Sequence, residues 1–155
     1  MELKFQINGF KEWLEKLDAL RDIEKDPRIN KALGRGAARM QAAVKMHTPV
    51  GDAAWGGTGN LRNKIFLDNP AFNEWGIVSN VEYAPFVEYG TGKLGDPSVP
   101  HTAKDHWTYY NDFVKRFITT HGQKPVHMFA KGFSETHVTV FKIVQNEVEE
   151  LIKNA

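Results

Sequence analysis

Six histidines, at positions 47, 101, 106, 121, 127 and 137, are the side chains best suited to metal or proton chemistry in this sequence. No two of them stand in a His-Glu-x-x-His arrangement, the helical spacing that places two imidazoles and a carboxylate base on one zinc ion. His137 lies four residues after Phe133 and four before Phe141, on what reads as the apolar face of a helix, and is expected to be a hydrogen-bonded core side chain. Gly90-Thr91-Gly92-Lys93 comes near the end of a phosphate-binding loop. Such a loop needs Ser or Thr after the Lys to hold magnesium and another Gly five positions before the last one, and Leu94 and Val87 stand there instead. No Gly-x-Ser-x-Gly turn presents a serine nucleophile. Glu82, Glu88 and Glu135 are acids, but nothing in their spacing selects a pair for general acid–base work. The sequence therefore predicts no catalytic residue, no metal ligand and no cofactor, and it is read as a protein that is not an enzyme.

The aromatic residues carry a clearer pattern. Trp107, Tyr109, Tyr110 and Phe113 gather in one predicted hairpin, and Tyr83, Phe86 and Tyr89 in one short segment. Trp and Tyr are favoured at protein interfaces because they cover much area at little entropic cost. The plain alternative is that half of them face the core, as strand alternation requires of some. Stacking on single-stranded nucleic acid would also need a positively charged groove. With 20 Lys and Arg against 19 Asp and Glu, the formal charge is only +1, which makes that the weakest of the three.

A chain of 155 residues fits one domain, residues 1–155, and can bury a core of its own. Apolar residues make up 41% and charged residues 25%, so the chain should fold. Cysteine is absent, which removes disulfides and thiolate chemistry and suits a reducing compartment. No apolar run approaches the roughly 18 residues of a membrane span, and the charged N-terminal stretch does not read as a targeting signal. A soluble, untargeted protein is expected.

The elements that must position these residues follow from periodicity. Leu3, Phe5 and Ile7 alternate as a strand, and Phe10, Trp13, Leu14, Leu17 and Leu20 recur as a short amphipathic helix. Asp26-Pro27 reads as a helix start, followed by Ile29, Leu33, Ala37, Met40 and Val44 at steps of three or four. Gly34, Gly36 and several alanines make this helix rich in small residues, which suits either close packing against a neighbouring backbone or, the favoured reading, a large aromatic of the same domain packed against them. A loop is expected from Thr48 to Gly59. Strands around 65–67 and 75–78, separated by Asp68-Asn69-Pro70, form a predicted hairpin. Gly90 to Thr102 reads as a long exposed loop, and a second hairpin follows, with strands 107–110 and 113–119 joined by Asn111-Asp112. From about residue 127 to 153, Phe129, Phe133, Val140, Phe141, Val144, Val148, Leu151 and Ile152 share one face of a long closing helix. The class is α+β, a mostly antiparallel sheet of hairpins packed against amphipathic helices, with the loop and hairpin of about 90–120 and an open sheet edge available to another chain.

Three segments in order, HTPVGDAAWGGTGNLRNKI from His47, VEYAPFVEYGTG from Val81, and WTYY followed by GQKPVHMF from Gly122, resemble the tail-completion or minor tail component family of long-tailed bacteriophages, related to head-to-tail joining proteins. The segments span 47–132, about half the chain. The loop between Val50 and Leu61 is long for the family, and Val126-His127 replace its usual Pro-Phe, which bears on loop detail. The resemblance implies a structural virion protein at the head–tail junction, assembled in the host cytoplasm. It implies a ring, with a hexamer the expected form, that joins the tail tube or tail terminator protein to head-closure or connector proteins. Genomic DNA would pass the lumen without sequence-specific binding, and no membrane is involved. Within a ring, the expected interface draws on Glu88, Tyr89, Gly90, Thr91, Gly92, Trp107, Tyr109, Tyr110 and Phe113, with Glu88-Tyr89 anchoring a loop either to the neighbouring subunit or to its own sheet. A head-closure or tail-terminator ring is the nearest alternative. A headless phage-tail-like particle, and an unrelated enzyme or nucleic-acid-binding module, are more distant ones.

Overall fold

The structure, a computed structural model, describes residues 21, 23–51 and 57–154. The expected first strand, the expected first helix and residues 52–56 of the first loop lie outside the described residues. Two antiparallel helices form the frame. Helix α1, Pro27–His47, starts where Asp26 and Pro27 predict, with the Asp26 carboxylate accepting from the Arg28 backbone N–H at 2.8 Å. It stops at Thr48, whose extended backbone leads into Pro49. The short helix α2, Asn60–Asn63, then leads into strand β1, Ile65–Ala71, and β2, Glu74–Ser79. Helix α3 is Ala84–Tyr89, strands β3 and β4 are Trp107–Asn111 and Arg116–Thr120, and helix α4, Met128–Lys153, closes the chain.

The protein is α+β, with antiparallel hairpins and a long C-terminal helix packed on the rest. Among the described residues the strands are divided between two separate two-stranded ribbons, β1–β2 and β3–β4. The first ribbon lies along α1. Two turns differ from expectation. Asp68-Asn69-Pro70 belongs to β1, where the pairing register shifts, and a bulge is where a strand tolerates a proline that has no N–H to donate. The turn falls instead at Phe72-Asn73, with Asn73 at φ 61°. In the second ribbon Phe113 leaves the strand for the turn, because the Asn111 side chain accepts from the N–H groups of Phe113 (2.9 Å) and Val114 (3.1 Å).

The α1–α4 contact is built on small residues. A Cβ added at Gly132 would lie 2.5 Å from Val44 Cγ2 and 2.8 Å from the Val44 backbone N, and one at Gly36 would lie 2.6 Å from Val140 Cγ1. Only glycine lets the helices approach this closely. Ion pairs Arg35–Glu147 and His47–Glu135 tie exposed edges of the pair. Gly34 faces an aromatic of the same chain, as expected: its absent Cβ would sit 2.9 Å from the Trp75 ring. That ring is fixed by its Nε1–H donating to Asn30 Oδ1 at 2.9 Å. Trp75→Phe removes this bond and part of the ring, and is expected to cost about 1–2 kcal/mol, measurable as a lower urea midpoint.

Close approach also rotates α4 away from the face its sequence suggests. Gly132, Thr136 and Leu151 are buried, whereas Phe133 and Phe141, expected in the core, are 57% and 69% exposed. Large rings cannot enter an interface spaced for glycine, so they point about one residue's turn to the side. His137 goes with them. It is an exposed side chain stacked on Phe133, its Nδ1 near the carbonyls of its own helix, and not a core histidine.

Below the helix pair, Val44, Leu61, Ile65, Val81, Ala84, Val87 and Met128 form the core cluster. The NLR triplet of the first quoted segment acquires a physical meaning here. Leu61 fills the core, and Arg62 donates through Nε (3.0 Å) and Nη2 (2.5 Å) to the carbonyl of Thr48, closing the C-terminus of α1.

Candidate interaction surface

Helix α3 is amphipathic on a scale of six residues. Val87 and Ala84 enter the core, while Phe86 and Tyr89 stay exposed. Glu88 is a buried acid, and its position explains why. Helix α4 begins without a capping side chain of its own, since His127 precedes it in a left-handed conformation at φ 55°. Glu88 supplies the acceptors: Oε2 accepts from Phe129 N at 2.9 Å and Oε1 from Ala130 N at 3.2 Å. A carboxylate there also opposes the positive end of a 26-residue helix. The carbonyls of Val87 and Glu88 accept from Val126 N and His127 N, completing the junction. The anchoring expected of Glu88-Tyr89 is thus directed inward at Glu88, onto the subunit's own helix.

Gly90 follows at φ 73°, and a Cβ there would lie 2.5 Å from the Gln123 carbonyl. This close approach lets Thr91 pair with Gln123 in a two-way backbone bridge, 2.8 and 3.2 Å, reinforced by Thr91 Oγ1 accepting from Gln123 N at 3.0 Å. The loop after α3 is therefore rooted and not wholly exposed as its composition suggests: Gly90 and Gly92 are buried, and 101–106 are exposed. Trp107 packs over Gly92 at the base of the ribbon. Lys93 pairs with Asp105, so the lysine of the phosphate-loop-like tetrapeptide is held by a carboxylate.

From this root the β3–β4 ribbon projects. Its register pairs Tyr109 with Ile118 and Tyr110 with Phe117, so alternate residues define two faces. One face carries Trp107 and Ile118, both half-buried. The other carries Thr108 and Thr119, whose hydroxyls are 2.9 Å apart, and the edge-to-face pair Tyr110–Phe117 with ring centroids 5.3 Å apart. Phe117 is 73% exposed and Phe113, at the tip, 63%. Of the nine residues expected at an interface, Tyr89, Tyr109, Tyr110 and Phe113 are exposed, Trp107 and Thr91 are half-buried, and Glu88, Gly90 and Gly92 are buried within the subunit. Phe117 was missed as an individual site residue, although its alternation with Ile118 and its place opposite Tyr110 carried the signal.

Beside the ribbon's root, a groove of about 540 Å³ runs between β2 and α3, floored by Ile77, Val78, Ala84, Pro85 and Phe129. It is mostly apolar. Ile77, Val78 and Ser79 of β2 line it, and no residue of β1 does.

The chain matches no family model, no curated protein and no solved structure.

The remaining candidates for chemistry are dispersed. Among the described residues no group of three or more His, Cys, Asp or Glu lies close enough to hold a metal ion, and no helix is long and apolar enough to cross a membrane. His47 pairs with Glu135, and His127 lies 3.7 Å from Asp96. Asp96 organises the loop. It accepts from the backbone N–H of Ser98 at 2.8 Å, and this bond, with the Ser98 side chain and then His127 and His101, holds its carboxyl below the usual range against an opposing effect of burial. A depressed carboxyl contributes stability above its unfolded value, about 3.9, and loses it as pH falls through the lower folded value. Asp96→Asn is accordingly expected to be slightly less stable than the native chain at pH 7, with their melting temperatures converging below about pH 4.

Proposed function

We propose that this protein is a structural component of a phage particle, a tail-completion protein that joins the tail to the head by forming a ring at the top of the tail. The observation that carries the reading is the aromatic β3–β4 ribbon, rooted by the Thr91–Gln123 bridge and turned outward. Tyr110, Phe113 and Phe117 are exposed on it, as residues that await a protein partner would be. The ordered motifs support the same reading with physical roles: Thr48-Pro49 ends α1, Arg62 closes it, Glu88 starts α4, and Gly90 turns the chain into the loop. Each of these fixes a scaffold and leaves the surface to act.

A ring requires a heterologous contact, in which one face of a subunit meets a different face of the next. The tail tube or tail terminator would lie on one side of it and head-closure or connector proteins on the other, with DNA passing through. The test is to inactivate the gene in its parent phage, count heads and tails by electron microscopy, and add purified protein back. Filled heads beside free tails of normal length, joined into infectious particles by the added protein, are expected. Intact infectious particles without the gene would refute the reading. Heads that leak DNA would assign the protein to head closure instead.

A further inference from the structure

We propose that His106 and His121 form a two-imidazole site for a divalent transition-metal cation of the zinc, nickel or copper kind, which clips the open end of the β3–β4 ribbon. The inference does not rest on the ring reading. It starts from the ribbon's register, which pairs Trp107 with Thr120 and so sets His106 opposite His121 one step further out. Strand alternation puts that pair on the face of the Thr108–Thr119 and Tyr110–Phe117 pairs, as the first rung of one ladder. The spacing of the two in sequence matches no helical zinc motif, because a hairpin and not a helix brings them together.

The two rings are neighbours, with centroids 5.9 Å apart and planes tilted by 50°. A metal held at about 2.0–2.1 Å by one nitrogen of each ring places the centroids roughly 5–6 Å apart, so the separation already suits a shared ion. The tautomer of one ring is also set. His121 Nδ1 lies 3.3 Å from the Asp105 carbonyl, which can only accept, so Nδ1 carries the proton and the Nε2 lone pair is left for a metal. Both side chains are exposed, which gives an ion access from solvent. The Asp105 carboxylate, next in sequence to His106, is engaged with Lys93. Among the described residues no third His, Cys, Asp or Glu joins the pair as a ligand, so the remaining positions fall to water. Two imidazoles select zinc, nickel and copper over magnesium and calcium, which take oxygen ligands. The consequence is mechanical. A two-stranded ribbon is marginally stable in water, and an ion bridging its strands at the root holds the aromatic face beyond it in place.

The experiment titrates zinc chloride into the full, metal-free chain, following the histidine side-chain signals by NMR and the binding heat by calorimetry. One zinc per chain is expected, with the His106 and His121 signals moving before those of His47, His101, His127 and His137. Copper should bind more tightly than zinc, and magnesium should leave every histidine unmoved. His106→Asn and His121→Asn each remove one arm of the chelate at an exposed position. Each should weaken zinc binding about tenfold or more, with circular dichroism unchanged. Zinc should also slow amide exchange in Trp107–Asn111 and Arg116–Thr120 of the native chain, and in neither variant. The proposal is overturned by zinc binding first at another histidine, by an affinity that either Asn leaves unchanged, by no binding at millimolar zinc, or by one zinc shared between two chains. Binding by the pair without slower exchange in the ribbon rejects the clip.

Discussion

Gly132→Val is expected to cost about 3–4 kcal/mol and to lower the melting temperature by about 10 °C, the largest effect of any single change considered. A Cβ at this position would meet the backbone of Val44, its N at 2.8 Å and its Cα at 3.0 Å, as well as the Val44 side chain. Side chains can rotate out of the way, but a helix backbone moves only with the whole helix. The variant must therefore separate α4 from α1 along their length, and loosen the core that Val44 and Met128 share. Gly132→Ala should cost less, because a single methyl is added and helix propensity returns about 1 kcal/mol. Adding Val44→Ala to it relieves only the side-chain part of the clash, so the double variant should remain below Val44→Ala alone. Calorimetry or thermal circular dichroism decides this. A Gly132→Val protein melting within about 2 °C of the native chain would mean that the helices part at little cost.

Glu88→Ala is expected to cost about 3 kcal/mol, read from urea unfolding. The substitution leaves Phe129 N and Ala130 N without acceptors in a part-buried place and removes a negative charge from the start of α4. Glu88→Gln keeps one oxygen and should lose about half as much. If Glu88 acted only at the surface between copies, both substitutions would leave the isolated chain's stability unchanged while weakening assembly. The buried geometry predicts the opposite order: stability falls first, and assembly follows only through misplacement of α3 and its loop. Tyr110→Ser with Phe117→Ser should show the reverse signature, a stable chain that assembles poorly.

Much of the frame was legible along the chain because its causes are local. Asp26 with Pro27 starts α1 through a cap and a fixed φ, and Thr48-Pro49 ends it. Apolar residues at 65–67 and 75–78 pair as β1 and β2, and the span of α4 agrees with its periodicity to one residue. Residues 111–113 illustrate the limit. Asn111 and Asp112 are good turn formers, yet the side chain of Asn111 draws Phe113 into the turn, and that ring reaches the tip of the ribbon. Pro70 similarly sits in a bulged strand because Asn73 could adopt a positive φ two residues beyond Ala71.

By itself the sequence determined the α+β class, the borders of the two long helices, the pairing of neighbouring strands, and the concentration of aromatics in one hairpin. These depend on residues a few positions apart, whose dihedral preferences and hydrophobic period act within one element. Only the tertiary structure decided which face each element buries. The approach of α1 and α4 through Gly36 and Gly132 turns Phe133, His137 and Phe141 outward, though their spacing alone suits a core. Glu88, 41 residues before Phe129, became a helix cap and not a surface acid. The two hairpins became separate ribbons, one lying on a helix and one extending into solvent. The physical reason is common to all three: burial depends on how near two elements come, and that distance is set jointly by side chains far apart in the chain, which no pattern within either element contains.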